Sequence, residues 1–264
     1  MAVSADHVIS VLRTGHDRLA AFVRKLAPGD LTHSSGASAW DVSQVLSHLG
    51  SGAEINLATL RGALAGTGNP GADFNKSTWA RWDAMSPADR ADGFLASDEA
   101  LVAAYEELDG PTRAELRIDL GFTPQPVDVA TAGTFRLSEL AFHVWDVEVG
   151  FDATAGIFPE AVPVLQALMP MYAGFSSNPA ALDGRHAELA VELSDPAASL
   201  GLNLGETVTV GTTPDKPDGV LTAPAEWWLR LVAGRHAPEH TPASVSLTGD
   251  AVRLDDLRRV FPGF

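Results

Sequence analysis

The chain has 264 residues, 45 % of them apolar and 20 % charged, which suits an ordinary globular protein of one large domain or two modest ones. Its formal net charge of −16, from 34 acidic against 18 basic residues, argues against a nucleic-acid partner and against anionic membrane surfaces. With no cysteine it forms no disulfide and supplies no thiolate, so any thiol in its chemistry must arrive as cofactor or substrate. No apolar run reaches bilayer-spanning length, and the opening MAVSADHVIS lacks a basic region followed by an apolar stretch. The expectation is a cytoplasmic protein without a secretion signal.

Residues 4–26 read as an amphipathic helix, with Val8, Val11, Leu12, Leu19, Phe22, Val23 and Leu26 at helical spacing, Ser4 as N-cap and Pro28-Gly29 as terminator. A second helix begins near SAWDVSQVL, capped by Ser38 or Asp41, with Trp40, Val42, Val45, Leu46 and Leu49 apolar. Residues 66–71 form a loop around TGNPG. Ser86-Pro87 is an N-cap followed by proline in the first turn, and a third helix runs on through Leu108. Residues 109–133, rich in Gly, Pro and Thr, read as extended or loop. A fourth helix follows from about Thr134 to Gly150. The result is a four-helix bundle with one long connection.

Beyond Gly150 the pattern changes. FDATAGIFP is a linker, and 159–175 read as one further helix. HAELAVELS, GETVTVGT and ASVSLTG then alternate as strands, interrupted by helical segments at 224–236 and 251–261. This second part is α+β. The boundaries expected are 1–152 for the bundle and 158–264 for the smaller α+β domain.

Inside the apolar fourth helix stand Glu139, His143 and Asp146. Burying such groups is costly without a partner. Glu139 and His143 are spaced i,i+4 and share a face. His48 occupies a similar apolar setting in the second helix. Two histidines and one carboxylate from neighbouring helices make a three-ligand metal site with a coordination position left open, which suits catalysis. By pattern alone His48 reads more readily as a hydrogen-bonded core histidine than as a ligand, and E-x-x-x-H occurs by chance on many helices. Asp146 is either an acceptor for an imidazole N–H or an exposed helix residue. His16, beside Thr14, Asp17 and Arg18, reads as surface.

WDVSQVLSHL at 40–49 and RLSELAFHVWD at 136–146 resemble the mycothiol-dependent maleylpyruvate isomerase family. AEWWLRLVAGR at 225–235 and VSLTGDAVRLDDLRRVFPG at 245–263 are similar to the C-terminal domain of the same family. The loops at 66–78 and 109–133 lie outside the resemblance. It implies a DinB-like, metal-binding four-helix bundle followed by a sterol-carrier-protein-like α+β domain. It also implies His48, Glu139 and His143 as ligands of a divalent metal, zinc first, with nickel, iron(II) or manganese compatible with the same donors.

The resemblance implies further that mycothiol, made a thiolate by the metal, attacks an electrophilic small molecule. In an isomerase the thiolate adds to a cis double bond of a maleyl-type substrate, the new single bond rotates, and elimination gives the trans product. In an S-transferase the adduct leaves. A functional arginine is implied in the second domain, near the metal across the domain interface. Arg235, at the end of LVAGR, fits better than Arg230, although a helix-end cation needs no function. Trp227 and Trp228 read as packing. The rival readings are a zinc hydrolase, for which Asp146 is the base at hand, and a non-catalytic binding protein. The oligomeric state is left as monomer or homodimer.

Overall fold

The computed structural model describes residues 3–263. The chain divides into two compact units, one running to Phe151 and one beginning at Asp152. Among the described residues no helix is long and apolar enough to cross a membrane.

The first unit is helical. Helix α1 (Ala5–Val23) starts where Ser4 Oγ accepts from the His7 N–H at 3.2 Å. Helix α2 (Val42–Ala65) starts with a reciprocal cap: Asp41 Oδ1 accepts from Gln44 N–H at 2.8 Å, and Gln44 Oε1 from Asp41 N–H at 2.9 Å. It stops at Gly66, whose φ of 69° is left-handed. Helix α3 (Ala72–Asp83) follows, then α4 (Pro87–Glu106), capped by Ser86. A short α5 (Gly110–Glu115) and a two-residue antiparallel ladder of β1 (Arg117–Ile118) with β2 (Val127–Asp128) lead into α6 (Val129–Val149).

Helices α1, α2, α4 and α6 form the bundle. α1 packs on α4 and α6, and α2 packs on α4 and α6. Val8, Leu12 and Leu19 from α1 meet a core that includes Leu46, Leu49, Phe94, Leu101, Leu137 and Leu140, all fully buried. α6 is buried along almost its whole length, as a helix apolar nearly all round must be.

Helix α3 lies where the sequence pattern predicts no element. Only Thr78 and Trp82 of its twelve residues are buried, so it carries no apolar stripe to read. Trp82 anchors it: a Cβ at Gly50 of α2 would sit 2.1 Å from the indole. α6 also starts earlier than Thr134, because Asp128 Oδ1 caps it by accepting from Thr131 N–H at 2.7 Å.

The second unit is α+β. Residues 159–175, expected as one helix, are broken into α7 (Ala161–Leu165), a 3-10 turn (Gln166–Leu168) and α8 (Met169–Ser176). Pro170 has no N–H to give, and its ring opposes a helical carbonyl at Gln166. Five strands follow: β3 (Ala187–Ser194), β4 (Ala198–Leu204), β5 (Val208–Gly211), β6 (Gly219–Pro224) and, after helix α9 (Ala225–Val232), β7 (Ser246–Thr248). Helix α10 (Leu254–Val260) comes last.

The sheet order is β5-β4-β3-β6-β7, with β3 and β6 parallel and the other pairs antiparallel. Strands β4 and β6 have no counterpart among the predicted strands. Gly201 breaks the alternating pattern of β4 in the sequence while the strand runs on through it, and a Cβ there would lie 2.2 Å from the Thr212 carbonyl oxygen. β6 opens on a glycine and closes on a proline. Trp227 and Trp228 of α9 are fully buried in this unit's core, as packing residues.

Candidate metal centre

His48 projects from α2 and Glu139 and His143 from successive turns of α6, two helices that pack on each other in the bundle. Their ligand atoms lie within 4.8 Å of one another. His48 Nε2 donates to Glu139 Oε2 at 2.9 Å, and His143 Nε2 is 3.8 Å from the same oxygen. The two imidazoles meet edge to face, with centroids 4.8 Å apart. Donors about 2 Å from a tetrahedral zinc stand about 3.3 Å from each other, so this cluster needs only small shifts to close on an ion.

Asp146 settles which nitrogen of His143 faces the cluster. Its carboxylate is fully buried, and Oδ2 accepts from His143 Nδ1 at 2.7 Å. A proton is thereby held on Nδ1, and Nε2 is turned toward Glu139. Burial would raise the Glu139 pKa. The hydrogen bond from His48 and the nearby His143, His48 and Arg136 outweigh it and hold the carboxyl at about 2. Two imidazole nitrogens and an ionised carboxylate fit zinc and the other first-row divalent metals.

The site opens to solvent on one side. His143 is 11 % exposed, whereas His48 and Glu139 keep 38 % and 42 % of their side chains exposed. Beside His48 lies a groove of about 390 Å³ with Trp40, Gln44, Trp79 and Asp83 along it. Trp40 packs against both imidazoles with its ring tilted, its centroid 5.2 Å from His48 and 6.0 Å from His143. Arg90 also lines the groove, but its guanidinium caps the end of α3, Nη2 donating to the Asp83 carbonyl at 2.7 Å.

His16 is not a surface residue. It is 2 % exposed, and its Nδ1 donates to Asp98 Oδ2 at 2.8 Å. Its polar sequence neighbours mislead because α1 turns that one side inward. Asp98 in turn accepts from Arg136 Nη2 at 2.6 Å. The only sequence signal for this cluster is a charge standing inside each of two apolar helical runs.

The two arginines of α9 and its exit lie in the second unit, and the histidine–glutamate cluster lies wholly in the first. Arg230 is 1 % exposed and holds its own fold: Nε and Nη2 each donate to Glu226 at 2.8 Å, and Nη1 donates to the His240 carbonyl at 3.0 Å. Arg235 is half-buried, follows Gly234 (φ 77°), and donates from Nη1 to the Ala233 carbonyl at 3.0 Å.

A solved structure described as mycothiol-dependent maleylpyruvate isomerase is similar to this chain over 93 % of each chain, with a TM-score of 0.66 and 13 % identity. A histidine-to-alanine mutant of that isomerase matches equally well. At that identity the likeness shows the fold. No curated protein sequence matches the chain. The model of the mycothiol maleylpyruvate isomerase N-terminal domain matches residues 12–148, more than half of the chain and all three residues of the cluster. The chain therefore belongs to the mycothiol maleylpyruvate isomerase N-terminal domain family.

Proposed function

We propose that this protein is a zinc-dependent enzyme that uses a low-molecular-weight thiol, mycothiol, as nucleophile toward an electrophilic small molecule, as a maleylpyruvate-type cis-trans isomerase or a thiol S-transferase. The observation that carries the reading is the convergence of His48, Glu139 and His143 within 4.8 Å at the edge of a solvent-open groove. Family membership supports the thiol, and the absence of cysteine is consistent with an external one.

His48, Glu139 and His143 would hold the metal. When bound, zinc lowers the pKa of a coordinated thiol, so that a nucleophile is present near neutral pH. Asp146 keeps the proton of His143 on Nδ1. Trp40 packs against one side of the two imidazoles. Arg235 is proposed to pair with a substrate carboxylate through a planar two-pronged contact; Arg230, committed to Glu226 and to backbone carbonyls, is the weaker candidate. The hydrolase reading is disfavoured because Asp146, the base it would use, is already bonded to His143.

The test is metal analysis of the purified protein, followed by calorimetric titration of mycothiol, glutathione and a plain thiol into the zinc form and into Glu139→Ala. Tight mycothiol binding that vanishes with the metal supports the reading. Stoichiometric zinc with no thiol binding overturns the thiol chemistry.

A further inference from the structure

Four residues from the four bundle helices meet in one chain of hydrogen bonds inside the first unit. Arg136 stands one turn before Glu139 on α6, with 2 % of its side chain exposed. Its Nη2 donates to the carbonyl of Leu49 at 3.0 Å and to Asp98 Oδ1 at 2.6 Å. Leu49 follows His48 directly on α2. Asp98, on α4, accepts from His16 of α1 through its other oxygen at 2.8 Å. Gly52 leaves room for the guanidinium against α2: a Cβ there would lie 3.1 Å from Arg136 Nη1.

This arrangement is expensive as mere packing. A buried ion pair loses hydration that its attraction barely returns, and apolar residues of similar volume usually serve stability as well or better. The Arg136 Nε is buried without an acceptor, a further cost. What the cluster does that leucines could not is fix a distance. One guanidinium nitrogen grips the backbone beside His48 while its own backbone carries Glu139 one turn on.

We propose that Arg136 is a positioning residue that holds His48 and Glu139 at metal-binding separation, with Asp98 and His16 as its buried partners. The proposal rests on the metal reading above and adds a part to it. Residues that orient metal ligands through a hydrogen bond typically change affinity about 10- to 100-fold when removed.

The experiment measures zinc affinity by competition with a chromophoric chelator, and the visible absorption of the cobalt(II) form, on full-length protein checked for fold by circular dichroism. The set is wild type, His143→Ala, Arg136→Met, Arg136→Lys, and the triple His16→Phe/Asp98→Leu/Arg136→Met. His143→Ala reports on the metal reading itself and should abolish binding. Arg136→Met should weaken zinc about 10- to 100-fold and alter the cobalt spectrum, with Arg136→Lys intermediate because an ammonium replaces the fork.

The triple variant separates positioning from stability. It replaces the buried charges by apolar volume, so it should unfold no more easily than wild type and still bind zinc as weakly as Arg136→Met. If Arg136→Met does not fold, the triple and lysine variants carry the test. A folded triple variant with wild-type affinity and cobalt spectrum overturns the proposal while leaving the metal site standing. Wild-type protein that binds no zinc, or binds it equally after His143→Ala, overturns both.

Discussion

Asp146 is a fully buried carboxylate whose hydrogen bond to His143 Nδ1 decides the tautomer facing the cluster. Asp146→Asn keeps the shape but offers that nitrogen a weaker, neutral acceptor. Zinc affinity should fall about 10- to 100-fold in Asp146→Asn, measured by chelator competition, while the fold is retained. Asp98 gives a different signature. Burial would raise its pKa, yet Arg136 and the hydrogen bonds from His16 and Arg136 pull it below the ordinary carboxylate range. A depressed native pKa means the stabilisation is complete above about pH 4, where the unfolded carboxyl is ionised, and is lost as pH falls toward the native value. Unfolding midpoints recorded from pH 7 to pH 3 should show a steep acid limb in wild type. Asp98→Asn should lower the midpoint at pH 7 and flatten that limb; an unchanged acid limb would mean the cluster is not what titrates.

Elements whose signals are local are legible in the sequence. The caps at Ser4 and Ser86 follow from short-range hydrogen bonding, and Asp41 is one of the two residues whose position suits the start of α2. Helix α3 is hidden because it buries only Thr78 and Trp82: the Trp82 indole rests on Gly50 and Gly93 and donates to Glu54 at 3.1 Å, and no apolar stripe runs along the helix. That contact is tight enough to test. In Gly50→Ala the new methyl would overlap Trp82, so the substitution should cost about 1–3 kcal/mol despite alanine's better helix propensity, read from chemical denaturation. A stabilised Gly50→Ala would mean that α3 does not pack there. Strands β4 and β6 escape the sequence pattern for a related reason: their place in the sheet is given by pairing with β3, which is a long-range property.

At the scale of the whole molecule, the chain forms two compact units, and the His48–Glu139–His143 cluster belongs to the first of them. Saturating zinc stabilises whatever closes around it, by about 4 kcal/mol at a thousandfold excess over Kd. Hydrogen exchange with and without zinc should therefore slow amides of α2 and α6 around positions 48 and 139–143 and leave the β3–β6 pairing unaltered. Uniform protection of the five-stranded sheet would contradict this. What the sequence determined by itself was whatever repeats at short range: the amphipathic helices of the bundle, three of the strands, and the i,i+4 spacing that puts Glu139 and His143 on one face. What only the tertiary structure decided was which residues from different helices meet. The approach of His48 to Glu139, the turning of His16 inward to Asp98, and the grip of Arg136 on Leu49 depend on packing between helices, and packing distances of a few ångströms leave no periodic trace in a single chain.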